Sequence, residues 1–336
     1  MDLTERYRAL LQPSERLVED MAALQGDVLI LGVGGKMGPA LASLAKEAIA
    51  LSGVRKRLIA VARFSDQEVR QELDAQGIDT IKADLLKDDL VSLPDASNVL
   101  YLAGTKFGTT GNESYTWAMN AWLPGSVANR YKDSRIVVFS TGNVYPLVPV
   151  SSGGATEETL PSPIGEYAQS CLGRERIFQY FSSKHNTPAL IYRLNYANDV
   201  SYGVLLEIGR SVRERKPIDL RMGYVNVIWQ GDANEIALRS LAHCGVPPKI
   251  LNVTGDETTS VRSVAETFGE IFGVEPQFVH EEQETALLSN ASEAVRLFDR
   301  PRVSVEQMIE LVAAWIDAGG KTLNKPTHFQ EREGKF

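Results

Sequence analysis

At 336 residues the chain is too long for one small module and suits one large domain or two merged ones. Hydrophobic residues at 43% and charged residues at 23% are globular proportions, which excludes disordered, collagen-like and coiled-coil classes. A formal net charge of −8, from 35 basic and 43 acidic side chains, argues against a nucleic-acid partner, which needs clustered cations. Cys171 and Cys244 are too few for a disulfide framework or an unaided zinc site, and no apolar run approaches the roughly 20 residues of a membrane span.

Residues 1–26 read as a helical extension. Asp2 and Glu5 can form a capping box, and Pro13-Ser14 break and restart the run. Acids stand there where a secretory signal needs bases, so the expected setting is a soluble cytoplasmic protein. Val28–Leu31 is a short apolar run, long enough for a strand buried on both faces and too short for a helix. Strand-like runs recur at Leu58–Ala62, Ile78–Ala83, Asn98–Ala103, Arg135–Ser140 and Ala189–Leu194. Helical patterns lie between them at Gln67–Gln76, at Ser114–Tyr131 with a kink or early turn at Pro124, and at Glu166–Lys184. This alternation predicts an α/β fold: a doubly wound, Rossmann-like parallel sheet over residues 27–195.

Residues 196–318 alternate helical patches with short strands, including Ile250–Val253 and Gln277–Val279. They read as a smaller mixed α/β substrate lobe rather than more of the same sheet. Residues 319–336 form a polar tail with scattered aromatics, suited to an oligomer contact or a frayed end.

Gly32-Val33-Gly34-Gly35-Lys36-Met37-Gly38 follows the first strand and opens a helix. Gly32 can make the tight turn, Gly35 lets backbone approach a pyrophosphate, and Gly38 lets the helix pack on the strand. The helix N-terminus presents N–H groups and partial positive charge to the anion, so residues 32–38, Lys36 and Met37 included, are expected to hold a dinucleotide. A carboxylate at the end of the second strand would grip ribose hydroxyls, whereas a cation tolerates a 2′-phosphate. The sequence there is Ala62-Arg63-Phe64-Ser65, so Arg63 points to NADP, with NAD the alternative if Arg63 is only a solvated charge. Asp84 is placed to meet the adenine edge or to cap its own loop.

Taken in order, these residues resemble the extended short-chain dehydrogenase/reductase family, the group labelled NAD-dependent epimerase/dehydratase. The resemblance covers roughly residues 27–275 and rests on the glycine loop, Asp84, Leu102-Ala103-Gly104, Asn120, Ser140-Thr141-Gly142-Asn143-Val144-Tyr145, Tyr167, Arg193-Leu194-Asn195 and Val227–Asp232. It implies hydride exchange at a carbinol or carbonyl. A tyrosine is the general acid/base, a serine or threonine holds the reacting oxygen, and a lysine four residues after the tyrosine lowers its pKa and binds the nicotinamide ribose. Thr141 and Tyr167 match the first two roles, and Ala103, Gly104 and Asn120 are carried over to the cofactor. At the lysine's position the chain has Cys171.

A tyrosine of pKa about 10 is ionised in roughly one molecule per thousand at pH 7. One cation about 5 Å away at an effective dielectric near 20 contributes about 3 kcal/mol, around two pKa units. Losing it should cut the useful phenolate about a hundredfold, unless another cation takes over. Lys106, after the fourth strand, is the candidate; a solvated loop lysine is the plain alternative. Cys171 would need an electropositive setting to act as a thiol and otherwise packs. Tyr180–Lys184 also spells Tyr-x-x-x-Lys, but at the far end of its helix, and is read as fortuitous.

The resemblance further implies a substrate under the C-terminal lobe, with Asn143, Asn195, Tyr202, Arg221 and Tyr224 as candidate contacts. No cluster of bases surrounds Arg221, which favours a free sugar, sugar acid or small hydroxy-carbonyl compound over a diphosphate. The resemblance also implies a homodimer through helices Ser114–Tyr131 and Glu166–Lys184. The expected function is an NAD(P)-dependent oxidoreductase, epimerase or dehydratase on such a substrate; the alternative is a non-catalytic NADP-binding sensor or scaffold. No metal-ligand spacing is present.

Overall fold

A computed structural model describes residues 2–335. Its centre is a seven-stranded parallel sheet, whose strands are numbered here in chain order: β1 (Val28–Leu31), β2 (Leu58–Ala62), β3 (Asp79–Lys82), β4 (Asn98–Tyr101), β5 (Arg135–Thr141), β6 (Ala189–Leu194) and β7 (Lys249–Val253). Their spatial order is β7-β6-β5-β4-β1-β2-β3. Val28–Leu31 are fully buried because helices cover both faces, as their uninterrupted apolar run requires. β1 pairs with β2 on one side and β4 on the other, so successive connections leave in opposite directions. The crevice this opens at the carboxyl ends of the strands is where open α/β sheets bind ligands.

Two short helices, α1 (Leu3–Ala9) and α2 (Glu15–Ala23), precede the sheet, with the Asp2/Glu5 capping box formed and Ser14 capping the second. One layer holds α3 (Gly38–Leu51) and α4 (Gln67–Ala75). The helix expected over 114–131 is instead α5 (Glu113–Trp117), a π turn at Ala118–Trp122, and α6 (Leu123–Arg130). Pro124 sits in the first turn of α6, where its missing N–H costs no hydrogen bond. The π turn holds fully buried Asn120. α7 (Gly165–His185) follows on the same side of the sheet and packs on α6.

The remaining helices are α8 (Val204–Arg213), α9 (Gln230–Arg239), α10 (Val261–Phe272), α11 (Ser292–Phe298) and α12 (Val305–Asp317). α8, α10 and α12 build a separate apolar cluster with Leu205, Phe268 and Val312 at its centre. One expectation fails here. Lys249–Val253 belongs to the main sheet, paired in parallel with β6 from Lys249↔Leu190 to Val253↔Leu194. The tail is not frayed: Thr327 is 4% and Phe329 1% exposed. No helix among the described residues is long and apolar enough to cross a membrane.

Candidate active site

Two cavities open along the carboxyl edge of the sheet. The first, about 280 Å³, is walled by Gly32, Gly34, Gly35, Arg63, Phe64, Asp84, Ala103, Gly104 and Met119, among others. Gly32 has φ +91°, and a Cβ there would lie 2.6 Å from the backbone nitrogen of Ala103. Only glycine lets β1 turn that closely beneath the end of β4. At Gly38 a Cβ would run into the carbonyl of Val33, which is the helix-to-strand contact expected of it. This narrow cradle, at the point where the sheet changes direction, fits a dinucleotide. Asp84 caps its own loop, accepting from the Leu86 N–H, and still faces the cavity. Arg63 is exposed and pairs with none of the described carboxylates.

The second cavity, about 210 Å³, is lined by Lys36, Met37, Lys106, Thr141, Asn143, Tyr167, Asn195, Tyr202 and Thr327, among others. Residues as far apart in the chain as Lys36 and Thr327 thus meet at one place. Lys36 departs from expectation. Its ammonium donates to the carbonyl of Ala197 at 2.5 Å and lies 4.0 Å from the Tyr202 ring centroid, toward this second cavity. Lys106 donates to the carbonyl of Thr327 and lies 5.8 Å from the Tyr167 ring centroid. Burial pulls Lys36 down to about 7 and Lys106 down to about 8.

Tyr167 enters from the first turn of α7, and its side chain hydrogen-bonds those of Thr141 and Cys171. Thr141, at the end of β5, also donates to Asn143 Oδ1 at 2.9 Å. Burial, and then the neighbouring thiol, push the Tyr167 phenol well above its ordinary range; Arg174 and the Thr141 bond pull it back. Arg174 was not anticipated from the sequence. It lies seven residues after Tyr167 and three after Cys171, on the same face of α7. Its guanidinium is buried and donates to the carbonyl of Phe139 and to Asn120 Oδ1, both at 2.7 Å. Gly104 makes room for it: a Cβ there would run into an Arg174 nitrogen.

Four expected contacts are corrected. Cys171 is fully buried and lines neither cavity, so it is not offered to a cofactor; burial pushes its thiol up, which leaves it neutral. Asn120 is likewise buried, holding the Thr105 backbone and Arg174 in place of a ligand. Arg221 is exposed and locked onto Asp219, away from the cavity. Tyr224 pairs with the strand at Thr259–Ser260 and lines neither cavity. Tyr180 is 60% exposed, as its reading as fortuitous requires.

A model of the NAD dependent epimerase/dehydratase family matches residues 28–198, from β1 to just past β6. The chain belongs to that family. No curated protein matches it by sequence. Solved structures are similar throughout. A UDP-glucuronic acid 4-epimerase from Bacillus cereus, in complex with UDP-glucuronic acid and NAD, has a TM-score of 0.72 at 18% identity, covering 87% of this chain and 99% of the other. A UDP-glucose 4-epimerase from Thermotoga maritima, with UDP-glucose, has 0.69 at 15%, with the same coverage. An epimerase from Methanothermobacter thermautotrophicus has 0.72 at 18%, covering 91% of this chain and 96% of the other. At these identities the likeness is one of fold. This epimerase/dehydratase therefore carries the family's Rossmann-like sheet, and within it the signal for Arg174 was available. It is the charged side chain two turns below Tyr167 on a face otherwise buried.

Proposed function

We propose that the protein is an NAD(P)-linked oxidoreductase or epimerase acting at a carbinol or carbonyl carbon of a small polyhydroxy compound. The oxidised nicotinamide, when bound, supplies a hydride acceptor. Tyr167 takes the proton of the reacting hydroxyl, and Thr141, oriented by Asn143, holds the same oxygen. Cys171 stands where the family resemblance calls for lysine, and its thiol touches the phenol without adding charge. Arg174, one turn further on, supplies the fixed positive charge. The observation that carries this reading is the hydrogen-bonded set Thr141–Tyr167–Cys171 with Arg174 beneath it, at the mouth of a glycine cradle. Arg174 removes the main ground for a binding-only role, which was the absence of a cation.

Calorimetric titration with both coenzymes, followed by absorbance of the reduced nicotinamide on incubation with polyols and sugars, tests the proposal. Heat with at least one coenzyme and reduction with at least one substrate are expected. No heat with either coenzyme, oxidised or reduced, would overturn it. Gly32→Val, which must place side-chain atoms against Ala103, is expected to weaken coenzyme binding at least tenfold.

NADP is our reading of the coenzyme, because Arg63 is exposed at the end of β2 with no carboxylate in its place. The B. cereus enzyme carries NAD. Arg63→Ala is expected to weaken NADP about tenfold and leave NAD unchanged; equal loss of both would return the assignment to NAD. The protein is further proposed to be a homodimer through the π turn, α6 and α7, where Trp122 at the end of the turn is 62% and Tyr180 of α7 60% exposed. Light scattering should show Trp122→Glu shifted to monomer; unchanged dimer mass would move the interface elsewhere.

A further inference from the structure

α1 precedes the stretch that the family model matches, and it is held on the apolar cluster of α8, α10 and α12. Leu3, Tyr7, Leu10 and Leu11 pack against that cluster. The Tyr7 ring meets Trp229 edge-on at 6.1 Å and lies 5.9 Å from the ring of Trp315. The Trp229 indole N–H donates to the carbonyl of Leu10 at 3.2 Å. So anchored, the Tyr7 hydroxyl donates to Asp199 Oδ2 at 2.9 Å. Burial, and then the Asp199 carboxylate, raise this phenol well above its ordinary range, so it remains a donor at any working pH.

Asp199 is buried and ties together the turn at 197–203, between β6 and α8. Its backbone exchanges hydrogen bonds with that of Tyr202, at 2.8 and 3.2 Å. Its Oδ1 accepts from the N–H and hydroxyl of Ser201 at 2.9 and 2.7 Å, which leaves Oδ2 to α1. Asn198 Oδ1 accepts from the Leu205 N–H at 3.0 Å and fastens the turn to α8. Both ends of this turn hold Lys36: the Ala197 carbonyl accepts from its ammonium, and the Tyr202 ring lies against it. An ammonium carries three donors, and the Ala197 carbonyl takes one. Lys36 lines the second cavity together with Thr141, Asn143 and Tyr167. Without the Tyr7 hydroxyl, Asp199 Oδ2 loses the donor that α1 supplies inside the fold, and the turn that holds Lys36 loses its tie to α1.

We infer that α1 is a working part of the site: Tyr7, through Asp199, fixes the turn that aims Lys36 at an oxygen of the polyhydroxy substrate other than the reacting one. Tyr7 and Asp199 are then positioning residues, and Lys36 binds substrate. The inference rests on the function proposed above and adds a substrate contact to it. The test is steady-state kinetics on the full chain, with glucose, xylose, glucuronate and sorbitol as probes and each coenzyme in turn. On a probe that turns over, Lys36→Met is expected to raise KM tenfold or more. Tyr7→Phe, which keeps the ring between Trp229 and Trp315, should raise KM about fivefold to tenfold. Both should leave kcat and coenzyme affinity within twofold, the pattern of a lost binding contact rather than of lost chemistry. The double variant should match Lys36→Met alone, because the hydroxyl acts only through the lysine. Arg6→Ala, which removes the exposed pair of α1 with Glu310, should leave KM unchanged.

A Tyr7→Phe variant that loses stability to urea but keeps its KM would overturn the inference, since α1 would then only support the fold. So would effects of Tyr7→Phe and Lys36→Met that multiply in the double variant, which would make the two residues independent. Loss of coenzyme affinity on Lys36→Met would overturn it too, by assigning the lysine to the pyrophosphate. Failure of the unsubstituted protein to bind coenzyme is seen before any variant is made. It counts against the functional reading itself, and the substrate contact falls with it.

Discussion

Arg174→Met is expected to lower kcat/KM about a hundredfold near neutral pH and to move the rising limb of the pH profile about two units upward. In the proposed mechanism Tyr167 must lose its proton to act as a base, so activity should rise with pH through its kinetic pKa. Burial holds that pKa high, and Arg174 is the cation pulling it down. In general a unit charge about 5 Å from a phenol, at an effective dielectric near 20, contributes about 3 kcal/mol, or two pKa units, which sets the scale of the expected shift. Removing it therefore raises the pKa and shifts the limb to higher pH.

A merely structural role would lower activity without moving the limb. Arg174→Lys, which keeps the charge, should recover most of the shift even if it loses one of the bonds to Phe139 and Asn120. Cys171→Lys in the Arg174→Met background should also bring the limb back, since it places an ammonium one turn from Tyr167. Lys106 serves as the control. Its ammonium lies 5.8 Å from the Tyr167 ring centroid, and with Arg174 as the controlling cation Lys106→Met should leave the limb in place. A limb that moves with Lys106 and not with Arg174 would reverse these assignments.

The legible and illegible parts of this protein divide by the distance over which their causes act. The strands from Val28 to Leu194 and the glycine loop are local: a contiguous apolar run or a fixed spacing of glycines carries the whole signal. Tyr167, Thr141 and Asn143 stand at strand ends or a helix start that the sequence marks, which is why their meeting at one cavity is legible. Lys249–Val253 was not, because its place in the sheet depends on β6, some 55 residues earlier, and nothing in its own composition distinguishes the main sheet from a lobe.

The tail is polar by composition, yet it is held by Lys106, Glu207, Thr285 and Gly165, four segments with no sequence relation to it. Lys36 was read by its neighbours in the glycine loop, whereas its long side chain reaches to Ala197. Arg174 lay between these cases. Its spacing from Tyr167 was visible, but the reason a guanidinium can be buried there is the missing Cβ of Gly104, on a different strand.

Glu175→Ala is expected to cost about 3–5 kcal/mol of stability, measured by urea denaturation at an unchanged m-value. Glu175 and Arg193 are 0% and 1% exposed and form a two-pronged ion pair, with contacts of 3.0 and 2.6 Å. The pair is the hub of a buried network. Ser140 donates to Glu175 at 2.6 Å, and Arg193 donates to the Tyr145 hydroxyl, which in turn donates to Asn252 Oδ1 at 2.8 Å. It joins β5, α7, β6 and β7 directly behind the wall of the second cavity. Alanine at 175 strands a guanidinium with no access to water, and the penalty is that of an uncompensated buried charge rather than of a lost contact. Removing both charges, as Glu175→Met with Arg193→Met, should therefore recover most of the loss, since two apolar chains of similar length need no partner. A single variant that loses less than 1 kcal/mol, or a double variant less stable than either single one, would show that the network is not set by this ion pair.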